Sequence, residues 1–234
     1  MTSLASLPNF DPRRVPVVGI DAHLPAVQRD SMSPQAMRQR FVNPPKWTPE
    51  VVLEKRYSNR TQATNASVLV PIVLRGPTQD QPTVLLTQRT AHMSTHSGQV
   101  AFPGGKSDPS DADAAATALR EAHEEVGLAP QFIQVIGHLP TYVTGSAFVI
   151  TPVVALVHPG FTLKANPIEV DDVFEVPLEF LMNPANHRRH EVAWQNTTRQ
   201  WFSMPYLDPQ TGKEHFIWGV TAGMLRNFYC FLAA

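Results

Sequence analysis

Apolar, β-rich runs alternate with turn-forming clusters along most of the chain. Ser67 to Leu74 and Thr83 to Gln88 read as strands, with a Gly76-Pro77 turn between them. Gly98 to Phe102 reads as a short strand leading into a glycine turn, Phe102-Pro103-Gly104-Gly105. Further strands are predicted at Phe132 to Tyr142, Val149 to His158, Asp172 to Pro177, His190 to Trp194 and Gln200 to Pro205. Three stretches break that rhythm and predict helices. Ser33-Pro34 supplies a cap and first turn for one near 34–42. Ala115, Leu119, Ala122 and Val126 recur at helical spacing within 112–126, which Gly127 ends with Pro130 just beyond. The third covers about 220–232 and closes the chain. Residues 1–32 carry several prolines and no sustained period, so they predict an irregular arm able to wrap a single domain over 33–234. Mixed strands with few helices give the class α+β.

The second helix carries the chemistry. Its last turns read Arg120-Glu121-Ala122-His123-Glu124-Glu125-Val126-Gly127-Leu128. At about 100° per residue, Glu121, Glu124 and Glu125 share one arc, away from the packing stripe. Crowded carboxylates repel unless cations sit among them, and hard oxygen donors suit magnesium or manganese. A solvated acidic face is the ordinary alternative. Two details weigh against it. The carboxylates sit at the helix's C-terminal end, where the macrodipole disfavours negative charge. Their neighbours Ala114, Thr117 and Ala118 are small and leave room for ions and a ligand. Gly104 and Gly105 add close backbone approach, and the unusual dihedrals of a tight turn, beside phosphate.

These segments resemble a known family. Arg120 to Leu128 matches the core of the Nudix box at each defined position. Upstream, Asp111 stands where the general box has Glu, with eight residues between it and Arg120 where the box has seven. That longer spacing resembles the coenzyme A pyrophosphatase branch. So does Leu85-Leu86-Thr87-Gln88-Arg89, followed by Gly98 and Phe102-Pro103-Gly104-Gly105. Thr90 stands where the branch has Ser or Ala, and Ser94 where it has a second Arg. A guanidinium grips a phosphate with two hydrogen bonds and a serine does not. Met37-Arg38-Gln39-Arg40-Phe41 with Pro45 to Glu50, and Phe216 to Leu225, are similar to the branch's opening and closing segments.

The resemblance implies an α/β/α sandwich with a mixed β-sheet, over about residues 35 to 232. It also implies a hydrolase that uses Mg2+ or Mn2+ to split a pyrophosphate bond in a nucleoside diphosphate derivative. Coenzyme A or acyl-coenzyme A leads, giving 3′,5′-ADP and the 4′-phosphopantetheine fragment. Two alternatives stand beside it: another substrate such as an ADP-sugar, NADH or a dinucleotide, and a nucleotide-binding regulator without catalysis. The metal ligands expected are Glu121 and Glu125, stacked one turn apart, with Glu124 as a further ligand or a general base. Glu124, Glu121 and Arg120 are the candidate catalytic residues, Arg120 bracing a glutamate by an ion pair. Arg89, Gly104 and Gly105 are the candidate phosphate contacts, Arg89 reading equally as a surface arginine.

Other residues are more ambiguous. His92 and His96 flank Ser94 and either replace part of the missing arginine or stay solvated. His187-Arg188-Arg189-His190 reads as a phosphate grip or, better, as a solvated basic loop. Trp201 and Trp218 stack on an adenine or, by default, pack in the core. A formal net charge of −1 argues against a dedicated nucleic-acid or membrane-surface partner, leaving a small-molecule nucleotide substrate and room for a homodimer. The single cysteine, Cys230, excludes an internal disulfide framework and reads as a buried, inert thiol. No apolar run is long enough to span a bilayer, and neither terminus carries a secretory or peroxisomal signal. A cytoplasmic protein is expected.

Overall fold

The computed structural model describes residues 10–50, 63–91, 98–194 and 197–234. In chain order its first half runs β1 (Val17–Ile20), α1 (Pro34–Val42), β2 (Thr64–Val73), β3 (Thr83–Arg89), β4 (Val100–Ala101), β5 (Gly104–Lys106) and α2 (Ala114–Val126). The second half runs β6 (Ile133–His138), β7 (Tyr142–Val143), β8 (Phe148–Val157), β9 (Val170–Pro177), α3 (Leu178–Leu181), β10 (Arg188–Trp194), β11 (Thr197–Leu207), β12 (Glu214–Trp218) and α4 (Gly219–Ala233). Two sheets result. The larger has the order β4-β3-β2-β8-β6, with β5 also on β2, β7 on β8 and β9 on β3. The smaller is antiparallel in the order β1-β10-β11-β12.

The larger sheet is mixed, because β2 and β8 run parallel from Thr64↔Phe148 to Val73↔Val157 while their neighbours are antiparallel. These central strands are covered on both faces, which is why they read as apolar runs without polar alternation. Side chains alternate across the sheet. Leu69, Val73 and Leu85 meet Ala118, Ala122 and Val126 of α2. Val70, Ile72 and Leu86 join Met37 of α1 with Leu225 and Phe228 of α4. Helices on both faces of a mixed sheet give the expected α/β/α layering. Phe202, Met204 and Ile217 pack the smaller sheet into the same core as α4.

The observed elements differ from the sequence reading in several places, and neither β12 (Glu214–Trp218) nor α3 (Leu178–Leu181) was expected. The run 132–142 divides into β6 and β7, with a register shift between Val135 and Gly137. An added Cβ at Gly137 would stand 2.8 Å from Cγ of Phe41, so α1 rests directly on that irregularity. Within the expected irregular arm, residues 17–20 form an edge strand, pairing Val17 with His190 and Ile20 with Arg188. Finally, the expected glycine turn is strand β5, antiparallel to β2 with Val68↔Gly104 and Ser67↔Gly105 in register. Among the described residues, no helix is long and apolar enough to cross a membrane.

Candidate active site

Local signals fix α2. Asp113 caps its start, its Oδ1 accepting from the Ala116 N–H at 2.8 Å. Gly127 ends it in the left-handed region at φ 69°, its N–H donating to the His123 carbonyl at 2.9 Å. So framed, the helix turns Glu121 and Glu125 toward β5. The Gly104 N–H donates to Glu125 Oε2 at 3.1 Å. An added Cβ at Gly105 would stand 2.5 Å from each carboxylate oxygen of Glu121. At Gly104 it would stand 2.5 Å from the Ser67 carbonyl oxygen and 2.6 Å from Val68 Cα. Neither glycine has a positive φ. Closeness, and not unusual dihedrals, is what requires glycine at both positions; the tight-turn expectation is corrected on that point.

Burial sets the electrostatics. Glu125 is 3% exposed, and burial pushes its carboxyl up to about 7 against the opposing Gly104 N–H and Arg89 guanidinium; Glu169 and Glu121 push the same way as burial. Glu121 is half-buried and is also pushed up by burial, with the Arg120 hydrogen bond opposing. Arg89, at the end of β3, brings Nη1 to 3.5 Å from Glu125 Oε1. Arg120 is a hub. Its Nε and Nη2 grip both oxygens of Asp111 at 3.0 and 2.9 Å. Its Nη2 also donates to the Lys106 carbonyl at 3.0 Å, and its Nη1 reaches Glu121 Oε1 at 2.9 Å and Glu124 Oε2 at 3.2 Å. That grip holds the Asp111 carboxyl well below the usual range, with help from the Thr117 hydroxyl.

The structure therefore brings Glu121, Glu125, Gly104, Gly105, Arg89 and Arg120 together, with Glu124 exposed at the outer edge. Two contributors were not anticipated. Asp111 is the anchor of Arg120. Glu169 acts on both Glu121 and Glu125 because its carbonyl accepts from the Thr90 N–H at 3.0 Å, beside Arg89. A lone acid in a long loop gives no sequence signal; only the pairing of β9 with β3 places it. Among the described residues, no three His, Cys, Asp or Glu side chains are gathered closely enough to hold a metal ion. The carboxylate oxygens turn instead to Arg120, Arg89 and the Gly104 N–H. By chemistry the donor set still fits a hard divalent cation, since a buried carboxylate with acidic neighbours lacks full compensation.

The remaining candidates lie elsewhere. His187 and His190 are buried, and Arg189 pairs with Asp21 at 2.8 Å and Glu50 at 2.7 Å, so three residues of the basic run are built into the fold around the start of strand β10 while Arg188 is exposed. Trp201 and Trp218 pack edge to face with ring centroids 6.2 Å apart, and Trp201 lies parallel to the His190 ring. Cys230 is only half-buried, though burial still pushes its thiol up. His92, Ser94 and His96 lie outside the described residues.

Comparison with known proteins finds likenesses at the level of the domain. A NUDIX domain profile matches residues 64–215. An uncharacterized Nudix hydrolase of Photorhabdus laumondii, NudL, is 39% identical over 173 residues, spanning 74% of this chain and 86% of that protein. NudL of Escherichia coli is 41% identical over 163 residues, spanning 69% of this chain and 79% of its own length. A solved MutT/nudix family protein from Enterococcus faecalis is a far weaker likeness, with TM-score 0.43 and 17% identity over 74% of this chain and 64% of that one.

Proposed function

The chain belongs to the Nudix family, and from that premise we propose a pyrophosphohydrolase that uses magnesium or manganese on a nucleoside diphosphate derivative, with coenzyme A or its thioesters as the leading substrate. One observation carries the reading: a buried Glu125 carboxylate, held by the Gly104 N–H, beside a Glu121 carboxylate with no Cβ at Gly105 to displace it. Glu121 and Glu125 are the residues that would hold the cation, with Glu124 as a further ligand or a general base. When bound, the metal supplies positive charge against the pyrophosphate and lowers the pKa of water. Arg120, anchored on Asp111, keeps Glu121 and Glu124 aimed at one place. Arg89 is the cation beside Glu125 that would meet substrate phosphate. Support for coenzyme A comes from the run Leu85 to Gly105, with Ser94 as its departure from the branch.

The test is a hydrolysis screen with either metal, offering coenzyme A, acyl-coenzyme A, NADH, ADP-ribose and diadenosine polyphosphates, with products identified by mass. Release of 3′,5′-ADP from coenzyme A is expected. Turnover of another member alone moves the specificity, and no turnover of any favours a nucleotide-binding regulator. Glu121→Gln and Glu125→Gln are each expected to lower kcat about a hundredfold or more, because each removes charge the cation needs. Undiminished rates in both variants, with folding intact by circular dichroism, would remove these residues from the chemistry.

A further inference from the structure

Among the described residues β9 pairs β3 alone, from Thr83↔Pro177 to Arg89↔Val170. A strand paired on one side turns every second N–H and C=O away from its partner, ready to bond another extended chain. Beside β9 lies a cavity of about 590 Å³, whose far wall is the hairpin joining β11 to β12. Lys213 Nζ reaches Asp172 Oδ2 at 2.7 Å, and the His215 ring stacks on Phe174 at 3.5 Å, so the hairpin stands against β9 without a ladder between them.

The charges lining this cavity are already engaged. Lys213 holds Asp172, and Arg75 holds Glu175 at 2.5 Å. Asp208 accepts from the Gln210 N–H and the Thr211 hydroxyl of its own turn. No lining lysine or arginine is left to seat a phosphate. What remains is uncharged: the strand edge, the Tyr206 hydroxyl and Nδ1 of His215. His215 is 3% exposed, and this nitrogen is buried with no hydrogen-bond partner among the described residues. Burial also holds the imidazole below its usual pKa, so it stays neutral. Such a lining suits an extended chain rich in amides, which gives and accepts hydrogen bonds without charge.

The cavity and the carboxylate site lie along one strand pair, Arg89 pairing with Val170 at the site's end of β9 and Thr83 with Pro177 at the cavity's end. Glu169 acts on Glu121 and Glu125, and Asp172 follows three residues later, about 10 Å along an extended chain. Asp172 to Glu175 adds about 10 Å more by the same geometry. We propose that this cavity is the subsite for the non-nucleotide arm of the substrate, an extended, uncharged, amide-bearing chain that bonds the edge of β9 while its pyrophosphate lies at Glu121 and Glu125. The inference rests on the pyrophosphohydrolase reading and gives it a substrate class: dinucleotides and ADP-sugars carry no such arm.

The probe is pantetheine, which has the amides but neither phosphate nor nucleotide, added to the full chain and followed by hydrogen-exchange mass spectrometry. Protection is expected in peptides covering 170–177 and 206–215, and Glu121→Gln leaves it in place. Gln210→Trp sets bulk at the exposed hairpin tip, away from the carboxylates. It is expected to weaken pantetheine about tenfold, and to raise the KM for coenzyme A by the same factor with kcat within about twofold, a change of about 1.4 kcal/mol. No protection by pantetheine, or protection elsewhere, overturns the subsite even if coenzyme A is hydrolysed. Protection without coenzyme A turnover upholds the subsite and sinks the substrate assignment above.

Discussion

Gly104 and Gly105 are neighbours in one short strand, yet an added methyl would meet different obstacles at each. At Gly104 it presses on main chain, the Ser67 carbonyl and Val68 Cα, which have no freedom to yield inside a paired strand. At Gly105 it presses on the end of the Glu121 side chain, which can rotate away. Gly104→Ala should therefore behave as an overpacking lesion of about 1–3 kcal/mol, lowering Tm by roughly 5 °C in a chain of this size. Gly105→Ala should leave Tm within about 2 °C of wild type while lowering kcat sharply, since the displaced carboxylate is a proposed metal ligand. Calorimetry and steady-state kinetics on the pair decide the matter; equal losses of stability would mean that Glu121 is not free to move. The same residue scale explains why the site is expensive. Glu125 carries a charge that burial opposes, so its neutral amide variant should gain stability as it loses function.

At the scale of elements, α2 and the loop before it act as one piece. Asp111 sits two turns and a loop upstream of Glu121, joined to it through the Arg120 fork. Asp111→Asn keeps the shape and removes the charge, which loosens the aim of Arg120 on Glu121 and Glu124. We expect kcat to fall about tenfold, the lower range for loss of a residue that orients metal ligands, with KM little changed and Arg120→Lys unable to compensate. A rise in KM with constant kcat would instead assign Asp111 to substrate binding. This helix was legible from the sequence because two of its determinants are local, the packing stripe from Ala115 to Val126 and Gly127 at the end; the cap at Asp113 was seen only in the structure. Its observed start, Ala114, lies two residues from the expected one. The apolar runs of β2, β3 and β8 were legible for a related reason, since strands buried on both faces must be apolar. The pairing of β1 with β10 was not, because Val17 and His190 are far apart in the chain and neither pattern names the other. Nor was β5, whose two glycines read as a turn although close approach to β2 at Gly104 and to Glu121 of α2 at Gly105 demands them. The basic run at 187–190 misled for the same reason: its partners Asp21 and Glu50 are distant in sequence, and without them four cationic or titratable residues look solvated.

At the scale of the whole molecule, that misread run is where the N-terminal segment is tied to the rest. Arg226 of α4 is 3% exposed and bonds Asp21 at 3.0 Å and Glu50 at 2.6 Å, while Arg189 of β10 grips the same two carboxylates. Main-chain contacts add to it, with Val27 N–H donating to the Met182 carbonyl at 3.1 Å and the Tyr229 hydroxyl to the Pro25 carbonyl at 2.9 Å. His187 lies inside this knot, one ring nitrogen on the Leu181 carbonyl and the other facing Arg226. Burial first, and then the Arg226 charge, push its pKa down to about 4, against the Leu181 carbonyl and the two carboxylates. A depressed pKa means that the unfolded chain takes up the proton first. The stability that neutral His187 contributes is complete above the unfolded value near 6.5 and is lost as pH falls through about 4. Over that window the loss is about 3 kcal/mol, or roughly 9 °C in Tm for a protein of this size. Asp21 pushes in the same direction at lower pH: burial raises its carboxyl, but Arg189 and Arg226 together hold it below its usual value. His187→Gln keeps a hydrogen-bonding side chain and removes the titration, so its Tm should fall much less than that of wild type between pH 6.5 and 4. Thermal melts across that range, taken on both proteins, measure the difference directly. Parallel curves would place the acid sensitivity outside this knot; converging curves, with the variant less stable only above pH 6, would tie acid unfolding to the joint between the N-terminal segment and α4.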